Sequence, residues 1–250
     1  KNIYIIRYSK NSILIKDDLT SKYVKNINKF YNLKLTTFNK IESLNIDAAF
    51  LVNAPTNDRY DLILKLIKLK IHIFCEKPIL AYIDNKKIKI IKKLIRKNRI
   101  IFFSAYQLRY HKFFNQLKSD IDKKKYGELK FIKMEISENF YLFNKYTTPE
   151  DSHYMNKEKG GGVLLAQCHE IDLLHYLLDE LKIESLLIPS KPFYKRFEVD
   201  MLINLSFSCK KFNHTFPASL YMDMLNPIPK REGTFIFRNH IVGYNLRDNT

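Results

Sequence analysis

Glycine is scarce in this chain: six in 250 residues, none of them in a G-x-G-x-x-G arrangement. A strand and helix joined by such a turn hold a pyrophosphate, because glycines let the backbone approach it at the helix N-terminus. The sequence carries no such cradle. Three cysteines (Cys75, Cys168, Cys209) form no C-x-x-C pair and leave one over in any pairing. A disulfide framework is thereby excluded, and reduced thiols in a cytoplasmic setting are expected. No apolar run approaches the roughly 18 residues of a membrane-crossing helix, so no membrane partner is expected. Residues 1–6 enter a strand-like run without the charged, apolar and cleavage regions of a secretory leader. Acid is short as well, 26 Asp+Glu against 43 Lys+Arg, a formal charge of +17. Such an excess attracts phosphate through counterion release. Yet only nine of these cations are Arg, the residue suited to bidentate base and phosphate recognition. The lysines are spread evenly, and no helix-turn-helix, zinc-finger or RNP-type signature is present. A nucleic-acid partner is therefore not expected.

What is present is ordinary globular composition, 46% hydrophobic and 28% charged. Through residue 104 the pattern alternates strands with helices. Strand-like runs lie at 3–8, 33–37, 48–52, 71–75 and 100–104, with helical patterns at 17–30, around Leu62, Ile63, Leu66 and Ile67, and at 84–98. Short apolar strands separated by amphipathic helices predict a parallel sheet covered on both faces. The lysine-rich 86–97 reads as the solvated back of a surface helix. Beyond residue 104 the rhythm changes. An alternating run at 129–136 and a glycine-led helical segment through 178 precede strand-like runs near 183–188, 199–208, 214–224 and 234–243. Asn226-Pro227 and Glu232-Gly233 read as turns between them. Strands in succession without helices predict an antiparallel sheet. The expected domains are 1–103 and 104–250, with no internal repeat or low-complexity linker.

Two segments carry chemistry. In the first, 47–81, a buried strand ends in Asn53-Ala54-Pro55 and a second strand ends in Glu76-Lys77-Pro78. Ligands of open parallel sheets bind at the carboxyl ends of strands, so a cation and a carboxylate stand beside one crevice. The residue before proline is held extended, which aims Lys77. The same tripeptide is also compatible with a solvated strand-end turn. The second segment is 160–172, three glycines followed by Val163 and, further on, His169-Glu170-Ile171-Asp172. His169 and Asp172, three apart on a helix, share a face, and a neighbouring carboxylate would orient the imidazole and raise its pKa for base catalysis. His175 falls about 240° round the helix from His169 and cannot share a metal with it. No metal is expected.

Together the segments resemble the Gfo/Idh/MocA family of NAD(P)-dependent oxidoreductases, and the resemblance covers nearly the whole chain. It rests on 47–55, on 71–78 with its E-K-P end, on Gln107-Leu108-Arg109-Tyr110, on Tyr126-Gly127-Glu128-Leu129 and on the G-G-G…H-x-x-D segment at 160–172. The resemblance implies an α/β Rossmann-like parallel sheet, its first strand-helix unit missing, followed by an α+β domain with a large open antiparallel sheet. It implies hydride transfer between NAD or NADP and a secondary alcohol or ketone of a sugar or sugar-derived substrate, by a homo-oligomer assembled through the open sheet face. Lys77 would bind the reacting oxygen and stabilise its developing charge, His169 would accept the proton, and Asp172 would support it. Asn53, Ala54, Pro55, Asn57, Glu76, Lys77, Gln107 and Arg109 would line the cofactor side.

Three departures from the family pattern stand out. Leu165 occupies the position of an Asp four residues before the catalytic His, with Asp172 or Gln167 as replacements. Arg59 stands where the family has a His four residues after the turn proline. The end of the first strand is basic: Arg7 is either a contact for a 2′-phosphate, favouring NADP, or a surface cation. A missing first strand would leave a gap in the middle of the sheet. Either about 30 residues, one strand-helix unit, are missing, or the chain is a catalytically impaired or non-catalytic member acting as a binding protein.

Overall fold

The structure is a computed structural model and describes residues 2–7, 32–43, 45–52, 57–82, 84–143, 148–189 and 197–248. The helix expected at 17–30 lies outside the described residues. The alternating first part forms parallel strands, in two separate sheets. β1 (Asn2–Arg7) pairs with β2 (Asn32–Thr37), while β3 (Ala48–Leu51), β4 (His72–Cys75) and β5 (Phe102–Ser104) pair in sequence order. Among the described residues no ladder joins β1 to β3, so these strands form a two-stranded and a three-stranded parallel sheet.

Helices α1 (Asn57–Lys68) and α2 (Asn85–Asn98) cover one face of β3–β5. Leu62, Ile63, Leu66 and Ile67 of α1 pack with Ile73, Cys75 and Ile91 into an apolar cluster. At roughly 25 cal/mol per Å² of apolar surface removed from water, this burial is what fixes α1 on the sheet. Asp84 caps α2, its carboxylate accepting from the backbone N–H of Lys86 and Lys87. Of the expected stripe on α2, Ile91 is buried and Ile88, Leu94 and Ile95 are partly covered, with the lysines outward.

The second part is a six-stranded sheet in the order β11-β10-β6-β9-β8-β7. Its strands are β6 (Leu129–Asn139), β7 (Glu180–Leu187), β8 (Leu202–Lys211), β9 (His214–Asp223), β10 (Leu225–Phe237) and β11 (Ile241–Asn245). Every pairing is antiparallel except the central β6–β9, which is parallel. The chain reaches β9 from β6 through helices and β7–β8, and a crossover of that length permits parallel pairing. Alternation decides the faces. Ile203, Leu205, Phe207 and Cys209 of β8 are buried, while Asn204 and Ser206 are exposed on the open face. Helices α3 (Lys112–Asp122), α4 (Val163–Ala166) and α5 (His169–Leu177) lie on the buried face.

Three sequence expectations change here. The glycine-led helix is broken at Gln167–Cys168 into α4 and α5. Glu232-Gly233 and Asn226-Pro227 lie inside β10 and are not turns. Gly233 serves close approach: a Cβ there would stand 2.5 Å from the Tyr244 ring. The run at 234–243 divides between β10 and β11, with a tight connection that Phe237 closes by donating to His240 O (2.8 Å).

Candidate active site

The site is assembled where the carboxyl end of β4 meets the break between α4 and α5. Arg59 of α1, 1% exposed, reaches under the β4 end and donates from Nη1 to the carbonyls of Glu76 (2.9 Å) and Pro78 (2.6 Å). The Lys77–Pro78 peptide between them is cis. One guanidinium thus clamps both sides of Lys77. The Lys77 ammonium crosses to the other part of the molecule and donates to Ala166 O at 2.5 Å. Ala166 is the last residue of α4, whose terminal carbonyls have no partner within the helix.

The break that supplies this carbonyl is held from three sides. Gln167 Nε2 donates to Asp223 O at the end of β9 (3.1 Å). Val163 N donates to Asp200 O (2.7 Å), and Gly161 packs under Tyr154 and Asn156, where a Cβ would meet Tyr154 O at 2.6 Å. Only glycine allows that approach. The result is a cavity of about 180 Å³ with Lys77, Glu138, Tyr154, Gln167, His169 and Arg231 in its wall. Lys77 and His169, 92 positions apart in sequence, therefore face one hollow.

His169 is 6% exposed, its ring edge-on to Tyr106 at 5.9 Å. Nδ1 is buried without a hydrogen-bond partner among the described residues. Burial, then the charges of Lys77 and Arg231, push its pKa down to about 3. This corrects the expectation that a carboxylate raises it. Asp172 is turned away: both its oxygens accept from Arg109, Nε at 2.7 Å and Nη2 at 2.6 Å. Arg109, expected on the cofactor side, lies against Asp172 and the rings of Tyr106 and Tyr176. At the first turn of α5, residues three apart share a face, but Asp172 is claimed by the stronger partner, a bidentate guanidinium.

Glu76 continues β4, its N–H donating to Leu51 O (2.9 Å), and the exposed Gln107 opens a single turn after β5. Asn53, Ala54 and Pro55 lie outside the described residues, as do the side chains of Arg7 and Asn57. Sequence reasoning passed over Arg231 and Glu170. Arg231 Nε donates to Glu170 Oε1 at 2.7 Å, and Glu170 is wholly buried. It also passed over Ser104, beside Cys75 at the end of β5, whose Oγ is buried without a partner among the described residues. One signal was available. In a chain that uses lysine by default, the few arginines mark positions needing more than a point charge: Arg109 spans both oxygens of Asp172, Arg59 reaches two carbonyls from Nη1, and Arg231 meets Glu170 through Nε.

Residues 20–106 match the oxidoreductase family with an NAD-binding Rossmann fold, and residues 118–219 match that family's C-terminal alpha/beta domain. The chain belongs to the Gfo/Idh/MocA oxidoreductase family. It is 27% identical over 143 residues to the myo-inositol 2-dehydrogenase of Thermotoga maritima, covering 56% of this chain and 38% of that protein. An inositol dehydrogenase homolog from Azotobacter vinelandii, solved with NAD+, superposes with a TM-score of 0.70 at 14% identity, over 83% of this chain and 54% of that one. The WlbA dehydrogenase of Bordetella pertussis, solved with NADH and UDP-GlcNAcA, gives 0.72 at 15% identity, over 91% and 64%. These structures share the fold, and the chain spans about half of the first of them and less of the Thermotoga enzyme. Among the described residues no helix is long and apolar enough to cross a membrane.

Proposed function

We propose that the protein is an NAD(P)-dependent oxidoreductase acting on a secondary alcohol, or the corresponding ketone, of a sugar-like substrate. The observation that carries this is the shared cavity of Lys77 and His169. An ammonium has three donors. Lys77 gives one to Ala166 O, and the others point its charge at a substrate oxygen, where it stabilises a developing alkoxide. A His169 held far below its ordinary pKa is neutral near pH 7, so the imidazole is free to take the hydroxyl proton. Bound nicotinamide would supply the hydride acceptor or donor.

The residues present fit the nicotinamide end of such a cofactor. The carboxyl ends of β3, β4 and β5 lie side by side next to Lys77, and the orphaned Ser104 Oγ offers a polar contact there. Glu76, Ser104 and Gln107 would hold that end, with Asn53, Ala54 and Pro55. For the pyrophosphate the described residues offer no glycine-rich turn, and the choice between NAD and NADP rests with Arg7. Assembly of copies through the open sheet face and a cytoplasmic location belong to the same reading.

Nicotinamide absorbance followed over a panel of polyols, sugars and nucleotide sugars tests the proposal. Turnover that falls at least a hundredfold in Lys77→Ala supports it; equal rates in the two proteins would remove Lys77 from the chemistry. The engagement of Asp172 by Arg109 favours a second reading, a binding protein without catalysis. Calorimetric titration separates the two, since that reading requires no saturable NAD(P) binding.

A further inference from the structure

Arg231 stands in the wall of the Lys77–His169 cavity, on the face of β10 that carries the buried Gly233 and Phe235. Its fork is held by one edge. Nε donates to Glu170 Oε1 at 2.7 Å, and Glu170 is 0% exposed at the start of α5. Nη2 is buried without a partner among the described residues, as is Glu170 Oε2, while the Arg231 side chain as a whole keeps 19% exposure. A buried guanidinium nitrogen without a partner is costly unless a ligand or a neighbouring acceptor completes it.

The charges around the cavity ask for the same ligand. Glu138 is the one carboxylate of the wall among the described residues, and it is paired with Arg247. Glu170 answers Arg231, and Lys77 donates to a carbonyl. The hollow is therefore left with one uncompensated positive charge, that of Lys77, with the Arg231 guanidinium in the same wall. Its volume, about 180 Å³, suits a small polyhydroxylated molecule bearing an anionic group.

We propose that Arg231 is a specificity-determining residue that receives a carboxylate of the substrate on the free edge of its fork, and that Glu170 is the positioning residue that fixes the other edge. The proposal rests on the cavity being the substrate site, and it narrows the substrate class to sugar-derived acids. Two planar groups meeting through paired N–H···O bonds explain why arginine is kept here in a lysine-rich chain.

The test is calorimetric binding of two hexuronate–hexose pairs, glucuronate with glucose and galacturonate with galactose, in which only a carboxylate replaces a hydroxymethyl group. The wild-type protein should bind at least one acid tenfold or more tightly than its neutral partner. Arg231→Met should bring that ratio near one, and Glu170→Gln should lower it severalfold, with circular dichroism checking the fold. If Arg231→Met does not fold, Arg231→Lys serves, keeping the charge and losing the fork, with at least a threefold loss of preference. A wild-type ratio near one for both pairs, or equal weakening of acid and sugar in the variants, overturns the proposal. Binding is read without turnover, so a failure of hydride transfer strikes the oxidoreductase reading and leaves the carboxylate contact to be judged by its own ratio.

Discussion

Arg109 holds Asp172 through both carboxylate oxygens, and by doing so separates that acid from His169, three residues before it on the same helix. The pair links the turn after β5 to α5 and so braces the two halves of the site. Asp172 is 10% exposed and Arg109 40% at the side chain. Asp172→Asn should cost about 1–2 kcal/mol, held down by the solvent that screens the guanidinium. Urea denaturation measures the loss. The pH profile of kcat/KM should keep its acid limb, because Asp172 does not touch the imidazole. A limb that moved would restore Asp172 to the proton-transfer machinery.

Arg59 acts on Lys77 through two carbonyls. Arg59→Met leaves the oxygens of Glu76 and Pro78 without their donor. A loss of about 2–4 kcal/mol in stability is expected, with a fall in kcat of roughly tenfold as Lys77 loses its aim. A variant that lost stability with kcat intact would show that the clamp supports the fold alone.

The pH dependence of stability has a definite sign. His169 has a folded pKa near 3 against an ordinary value of 6.5, so between those limits the unfolded chain binds a proton that the folded chain refuses. Stability is complete above about pH 6.5 and is lost as pH falls toward 3. His153, also lowered by burial and then by Lys77, Arg59 and Lys159, adds to the same trend. The urea midpoint should fall steadily between pH 7 and 5, and His169→Gln should flatten that slope without abolishing it. An unchanged slope in the variant would mean that His169 is not buried as a neutral ring.

Gly233 faces the Tyr244 ring, which is locked among Phe113, Phe114 and Phe235. Gly233→Ala places its Cβ against that ring and should cost about 1–3 kcal/mol, read as a lowered midpoint in thermal or urea unfolding. Since β10 also carries Arg231, the acid-over-sugar binding ratio should fall with it.

The sequence by itself determined the parts whose causes are local. Runs of β-branched and apolar residues set the short buried strands. The stripe of Leu62, Ile63, Leu66 and Ile67 set α1, and Asp84 set the start of α2, because periodicity and capping act within a few residues. It also determined the two elements of the site, Lys77 at a strand end before proline and His169 behind three glycines. The tertiary structure decided everything that depends on which partner a polar group finds. Asp172 goes to Arg109, not to His169; Glu232-Gly233 becomes the interior of a strand, because β6 and β11 pair with it on either side; β6 and β9 lie parallel at the centre of the open sheet. Arg231 and Glu170, 61 positions apart, meet only because β10 passes beneath α5. Such pairings are long-range contests among donors and acceptors. Their outcome is set by the packing of whole elements, which no local pattern of residues encodes.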